Sequence, residues 1–189
     1  MLENRMKYAF LAFAVFALVG YSGCILSPDE EAPIVPPVAT YKPLTDKENI
    51  IYNLMQCYKE HNLPRYEELL DPGFVWHNQD DTFNDRATDI LQTSKMFAAA
   101  NNKYPDPKLW LDKLEVSITQ PGTWYKMTEL DGVPCDDCWD TTRDYYITAV
   151  ISGGSTTYIG NDRIRFIAIA VMKDNQKVYL LRHMYDTKQ

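Results

Sequence analysis

The sequence predicts an α+β domain in which helices come first and antiparallel strands follow, the helices packed on one side of a bent sheet. Three observations carry that expectation. Apolar residues recur at helical spacing in three stretches between Thr45 and Ala100. Beyond Tyr104-Pro-Asp-Pro107 the period changes to two, with Leu114, Val116 and Ile118 alternating with Glu115 and Ser117. Turn signals at Pro121-Gly122, Ser152-Gly-Gly-Ser155 and Asp174-Asn175 then cut the remaining chain into strand-length pieces.

Each element has its own local reason. Thr45-Asp-Lys-Glu48 reads as a capping box, with Thr45 as N-cap and Glu48 reaching back. Ile50, Ile51, Leu54, Met55, Cys57 and Tyr58 form one face of the helix it opens, which should stop near His61-Asn62. Pro64 suits the first turn of a short second helix with Tyr66, Leu69 and Leu70 inward. Asp71-Pro-Gly73 is a turn, and Phe74-Val-Trp-His77 a short strand before the polar stretch Asn78 to Asp81. A third helix is expected from Asn84 or Asp85 to Ala100, with Ile90, Leu91, Ser94, Phe97 and Ala98 as its inner stripe. Strands follow at Leu114–Ile118, Trp124–Glu129, Asp144–Ile151, Arg163–Lys173 and Lys177–Tyr185. Leu130 to Asp140 is read as a loop.

The start of the chain has a different character. Arg5 and Lys7 precede the apolar run Tyr8 to Val19, which closes on Gly20-Tyr-Ser-Gly-Cys24. A basic start, a short apolar core and small residues at the exit make residues 1–23 a secretory signal peptide. Ser22-Gly23-Cys24 resembles the lipobox of bacterial lipoproteins, in which the cysteine is lipidated and becomes the mature N-terminus. That resemblance implies an exported protein, anchored to a bacterial membrane through Cys24, with its domain facing the periplasm or the cell exterior. Cleavage after Ser22 and an uncleaved anchor are the alternatives, although the apolar run is shorter than the roughly 20 residues of a membrane span. Residues 24–43, rich in proline and acids, read as an extended spacer, and residues 44–189 as a single domain. The chain carries a net charge of −7 and has no basic run, which argues against nucleic acid as a partner.

Beyond composition, three stretches resemble the nuclear transport factor 2-like, or SnoaL-like, superfamily in the form found among bacterial envelope lipoproteins. They are Glu48-Asn-Ile-Ile-Tyr-Asn-Leu-Met-Gln-Cys-Tyr58 with Asn62 to Trp76, the helix ending in Met96-Phe97, and Lys177-Val-Tyr-Leu-Leu-Arg-His-Met-Tyr-Asp186. The resemblance implies a cone: a strongly bent antiparallel sheet wrapped by helices and open at one end. It does not fix a function, because members include isomerases, dehydratases, carrier-like binders and dimerisation modules.

Candidate functional residues follow from the same reading. Cys135-Asp-Asp-Cys138 could be a redox dithiol, half of a zinc site or a disulfide. Acidic neighbours oppose a thiolate, no second pair supplies zinc ligands, and export favours the disulfide. Cys57 should be a buried thiol. His183, Tyr185, Tyr146 and His77 are the candidates for acid–base work. Trp76, Tyr146 and Arg165 are the candidates for ligand contact. Alternation along the last strand places His183 and Tyr185 on one face with Tyr179 and Leu181. No cofactor and no metal are expected. The expected function is non-enzymatic: a lipid-anchored domain binding a small apolar ligand or an envelope protein, with a homodimer through the sheet face as a further partner. The alternative is an isomerase or dehydratase using His183 and tyrosines in the cone.

Overall fold

A computed structural model describes residues 40–152 and 157–187. The signal peptide, Cys24 and the spacer as far as residue 39 lie outside the described residues. Residues 41–43, read as the end of the spacer, belong to the packed domain. Lys42 N–H donates to Asn53 Oδ1 and Asn53 Nδ2 donates to Lys42 O, both at 2.8 Å, and Tyr41 packs on the core.

Helix α1 runs Glu48–Glu60, and its inner face is the expected one: Ile50, Ile51, Leu54, Cys57 and Tyr58 are buried. The capping box does not form. Lys47 is the N-cap and makes no side-chain cap bond; Asp46 Oδ1 accepts the Glu48 N–H instead, at 3.0 Å. The Glu48 carboxylate is taken by tertiary partners, accepting from Arg143 Nη2 at 2.6 Å and Trp124 Nε1 at 2.9 Å. A charged pair with a buried guanidinium outweighs a local backbone cap. Helix α2, Leu63–Leu69, starts at Asn62, whose side chain accepts from Arg65 N–H.

Strand β1 spans Leu70–His77 and strand β2 Phe83–Asp85. The turn expected at Asp71-Pro-Gly73 is an irregular bulge inside β1. Helix α3, Arg86–Ala100, is capped by Asp85, which accepts from Thr88 N–H at 2.8 Å. Its inner stripe is rotated from the expected one. Asp89, Thr93, Phe97 and Ala99 are buried, whereas Leu91 is 54 % exposed.

The sheet is completed by β3 (Leu111–Ile118), β4 (Tyr125–Leu130), β5 (Val133–Ile151), β6 (Thr157–Lys173) and β7 (Gln176–Thr187). Its order is β2-β1-β7-β6-β5-β3, with β4 also pairing β5. All neighbours are antiparallel except β1 and β7, which are parallel. The sheet is therefore mixed where the sequence led us to expect antiparallel strands throughout. The reason is that β1 is inserted beside the C-terminal strand, a partner far away in sequence. The expected loop at 130–140 is a hairpin: Asp131 and Gly132, at φ 53° and 77°, connect β4 to β5, the positive-φ pair that a two-residue hairpin turn requires.

Two further bulges, in β5 and β7, bear on where side chains point. In β5, Cys135, Asp136 and Asp137 lie opposite the single residue Thr128, between the pairs Glu129–Pro134 and Met127–Cys138. In β7, Arg182 is an extra residue between the pairs Ala168–Leu181 and Ile167–His183. Bulges bend strands and re-aim side chains. The main core lies between the helices and one face of the sheet, with Leu54, Phe74, Ile164, Phe166, Leu181 and Met184 among its members.

Candidate functional site

Between helices and sheet the structure leaves a pocket of about 390 Å³, within the size range of small-molecule sites. Its apolar wall comes from several elements at once: Tyr58 of α1, Trp76 of β1, Met96 of α3, Tyr145 and Ile147 of β5, and Ile164 of β6. Its polar equipment is concentrated on α3, where Asp89 and Thr93 of the rotated stripe are buried and Gln92 stands exposed at the rim, and on β6 and β7, where Asp162 and Asp186 stand. Asp89 is only 7 % exposed, and its Oδ2 accepts from Tyr66 Oη at 2.6 Å. Burial pushes its carboxyl above the usual range, and the Tyr66 hydrogen bond only partly offsets this. Burial and the nearby Asp89 charge raise the Tyr58 hydroxyl to about 12. Gln79 Nε2 donates to Asp162 Oδ1 at 3.2 Å and Asp186 Oδ1 at 2.8 Å.

Of the residues singled out by the sequence, Trp76 lines this pocket. His183 and Tyr185 do not. The extra residue at Arg182 reverses the alternation of β7, so Tyr179, Leu181 and Met184 join the helix-facing core, while His183 and Tyr185 point to the opposite face. The expectation that these residues share a face with Tyr179 and Leu181 is thereby corrected. His77 lies on that opposite face too, its ring stacked on Tyr185 with centroids 4.1 Å apart. Arg165 is there as well, its Nε donating to Asp140 at 2.9 Å. Tyr146, opposite in parity to the pocket-lining Tyr145, is 43 % exposed.

The opposite face holds a chain of titratable groups that the sequence reading did not assemble. His183 is buried; its Nε2 donates to Asp131 Oδ2 at 3.0 Å, and its Nδ1 lies 3.1 Å from His77 Nε2. Burial and the neighbouring His183 push the His77 imidazole below its ordinary range. Asp131 sits in the β4–β5 turn, two strands away from β7, so the hairpin must cross β6 to reach His183. This explains why Ile167 of β6 and Cys138 of β5 are buried on that face. The legible signal for this arrangement was Asp131-Gly132, a hairpin dipeptide. Among the described residues, no three His, Cys, Asp or Glu side chains converge as metal ligands.

The cysteine pair closes the β5 bulge. The Cys135 and Cys138 sulfurs are at disulfide distance, with Cα atoms 5.8 Å apart. The bulge aims Asp137 at Trp139 Nε1 (2.6 Å) and Lys177 Nζ (3.0 Å). Cys57 is a buried free thiol, raised by burial to about 12. In the native protein neither Cys135 nor Cys138 should alkylate before a reductant is added, and Cys57 should label only on unfolding. Mass spectrometry of the labelled protein checks this, and prompt labelling of the pair would refute it. Because the closed loop is short, the Cys135→Ser/Cys138→Ser variant should lose only about 2 kcal/mol or less.

Family sequence models and curated proteins give no match to the chain. Solved structures do. A nuclear transport factor 2-like superfamily protein from Salmonella enterica serovar Typhimurium superposes with a TM-score of 0.55 at 8 % identity, covering 76 % of this chain and 89 % of that one. A nuclear transport factor 2-like protein with a cystatin-like fold from Novosphingobium aromaticivorans gives 0.52 at 10 % identity, covering 74 % and 77 %. An uncharacterised protein with a cystatin-like fold from Caulobacter vibrioides gives 0.50 at 11 % identity, covering 73 % and 83 %. The fold is the nuclear transport factor 2-like α+β fold, with helices packed on a mixed, curved, unclosed sheet. At such identities the likeness defines the fold and nothing finer.

Proposed function

We propose that this protein is an exported, lipid-anchored, non-enzymatic domain that holds a small molecule in the pocket between helices and sheet. One observation carries the reading: the pocket has a wall of Trp76, Tyr58, Tyr145, Met96, Ile147 and Ile164, whereas the imidazoles that would serve as ready acid–base groups stand on the other face. A preformed apolar cavity with a few polar groups is what a binding site for a small ligand requires. The anchor rests on the leader and Cys24. A second copy of the chain on the sheet face would meet the β4–β5 hairpin and the exposed Tyr146.

The test has two arms. The neutral fluorescent probe N-phenyl-1-naphthylamine should bind saturably, and Ile147→Trp, which fills the pocket from its half-buried edge, should weaken binding at least tenfold while the circular dichroism spectrum is retained. Unchanged binding would place the probe elsewhere and refute the pocket. Cys24→Ala should move the protein from the membrane to the soluble fraction, and a variant that still pellets with membranes would refute the lipid anchor.

A second reading, an isomerase- or dehydratase-type enzyme, has Asp89 in its favour. A buried carboxyl whose pKa is pushed up by burial, beside a tyrosine hydroxyl, is a candidate for proton exchange with a ligand. It differs from the His183-based alternative because His183 lies outside the pocket. Turnover of a pocket ligand that Asp89→Asn abolishes without loss of binding would favour it over the binding reading.

A further inference from the structure

We propose that the pocket selects organic cations, its ligand carrying a protonated amine or quaternary ammonium group on a flat apolar body. This deepens the small-molecule reading above and rests on it.

The first support is an imbalance of charge. Three carboxylates, Asp89, Asp162 and Asp186, line the pocket, and among the described residues no Lys, Arg or His lines it with them. Elsewhere several part-buried carboxylates have a cationic partner: Glu48 with Arg143, Asp71 with Arg182, Asp137 with Lys177 and Asp140 with Arg165. None of the three pocket carboxylates takes part in an ion pair among the described residues. Carboxylates withdrawn from water without a countercharge are costly, and a cationic ligand removes that cost while an anionic one adds to it.

The second support is geometry. Asp162 on β6 and Asp186 on β7 direct one oxygen each at a single nitrogen, Gln79 Nε2, at 3.2 and 2.8 Å. The two carboxylates therefore stand close enough to share one nitrogen donor, and Gln79 takes only one oxygen of each, leaving the other oxygen of each for an ammonium group in the pocket. Deeper in the pocket, Asp89 is more than nine-tenths buried. Its Oδ2 is taken by Tyr66, and its Oδ1 has no hydrogen-bond partner among the described residues, so it faces the pocket with an acceptor to spare. The third support is the wall: Trp76, Tyr58 and Tyr145 offer aromatic faces of the kind that attract ammonium groups. A hard metal cation is a poorer fit, because it takes six or more oxygen ligands and the described residues assemble no such set.

The test compares three probes of like size by isothermal titration and saturation-transfer NMR: 2-phenylethylamine, 2-phenylethanol and phenylacetate, with N-phenyl-1-naphthylamine as the neutral reference. The amine should bind at least tenfold more tightly than the alcohol, phenylacetate should not bind, and the Asp162→Asn/Asp186→Asn variant should bring amine and alcohol to the same affinity. The wild-type ratio stands as a test even if that variant fails to fold. Equal binding of amine and alcohol, or binding of the naphthylamine alone, would overturn the cation inference and leave the small-molecule reading intact. Absence of binding by all four would overturn both.

Discussion

Replacing Glu48 with alanine is expected to destabilise the domain by about 3–5 kcal/mol, the loss typical when one partner of a buried ion pair is removed. For a domain of this size that is a fall in Tm of about 6–20 °C. Arg143 is 3 % exposed. Its guanidinium donates to Glu48 through Nη1 and Nη2, to Thr119 O through Nη1, and to Thr141 Oγ1 through Nε. Without Glu48 a full positive charge stays in the core with only neutral acceptors. Gly122 lies so close to this guanidinium that a Cβ there would come within 2.2 Å of it, so the arginine has little room to retreat. The pH dependence follows with a definite sign. Burial raises the Glu48 carboxyl, but the hydrogen bonds from Arg143 and Trp124 outweigh burial and hold it below its ordinary range. A depressed folded-state pKa means the unfolded chain binds the proton first. The stabilisation is present above the unfolded value of about 4.3 and is lost as pH falls through the folded one. Thermal denaturation of wild type and Glu48→Gln between pH 7 and pH 3 checks both points. If the Glu48→Gln variant were as stable as wild type at pH 7, or lost as much stability in acid, the role assigned to the pair would be refuted.

Replacing Phe166 with alanine should cost about 3–5 kcal/mol. Phe166 is fully buried at the middle of β6, between Thr141 of β5 and Met184 of β7, on the face that meets the helices. Its neighbour Ile167 is as well buried but faces the other way, beneath the β4–β5 hairpin. Ile167→Ala should fall at the low end of about 2–5 kcal/mol, because a hairpin held at its tip by Asp131 and His183 can settle into the space left. The two faces are told apart by a double-mutant cycle. Ile167→Ala should couple to Cys135→Ser/Cys138→Ser by at least about 0.5 kcal/mol, whereas Phe166→Ala should be additive with it. Urea denaturation of the six proteins decides the matter, and additivity in both cycles would show that the hairpin does not cover Ile167.

Much of this molecule was legible because local rules and tertiary packing agreed. The apolar spacing of Ile50, Ile51, Leu54, Cys57 and Tyr58 fixed the inner face of the first helix, and Asp174-Asn175 placed the last turn, at φ 51° and 61°. The inner stripe of the third helix was misread for an instructive reason. A rule that seeks apolar residues on the buried face cannot find a face buried against a pocket, and here that face carries Asp89 and Thr93. The polar residues at helical spacing were themselves the mark of the site.

By its residues alone the chain determined its class: helices before strands, an acidic surface, a cysteine pair suited to a disulfide, and the aromatic Trp76 that lines the pocket. Tertiary structure decided which side chains meet. Sequence alternation assigns faces only while a strand keeps its register. The single extra residue at Arg182 moved His183 and Tyr185 out of the pocket and into the chain with His77 and Asp131. Glu48 left its expected cap because Arg143, ninety-five residues away, offered a full charge inside the core. Asp162 and Asp186 became neighbours through the pairing of two long strands. Each of these outcomes depends on contacts between residues far apart in the chain, and only packing sets those contacts.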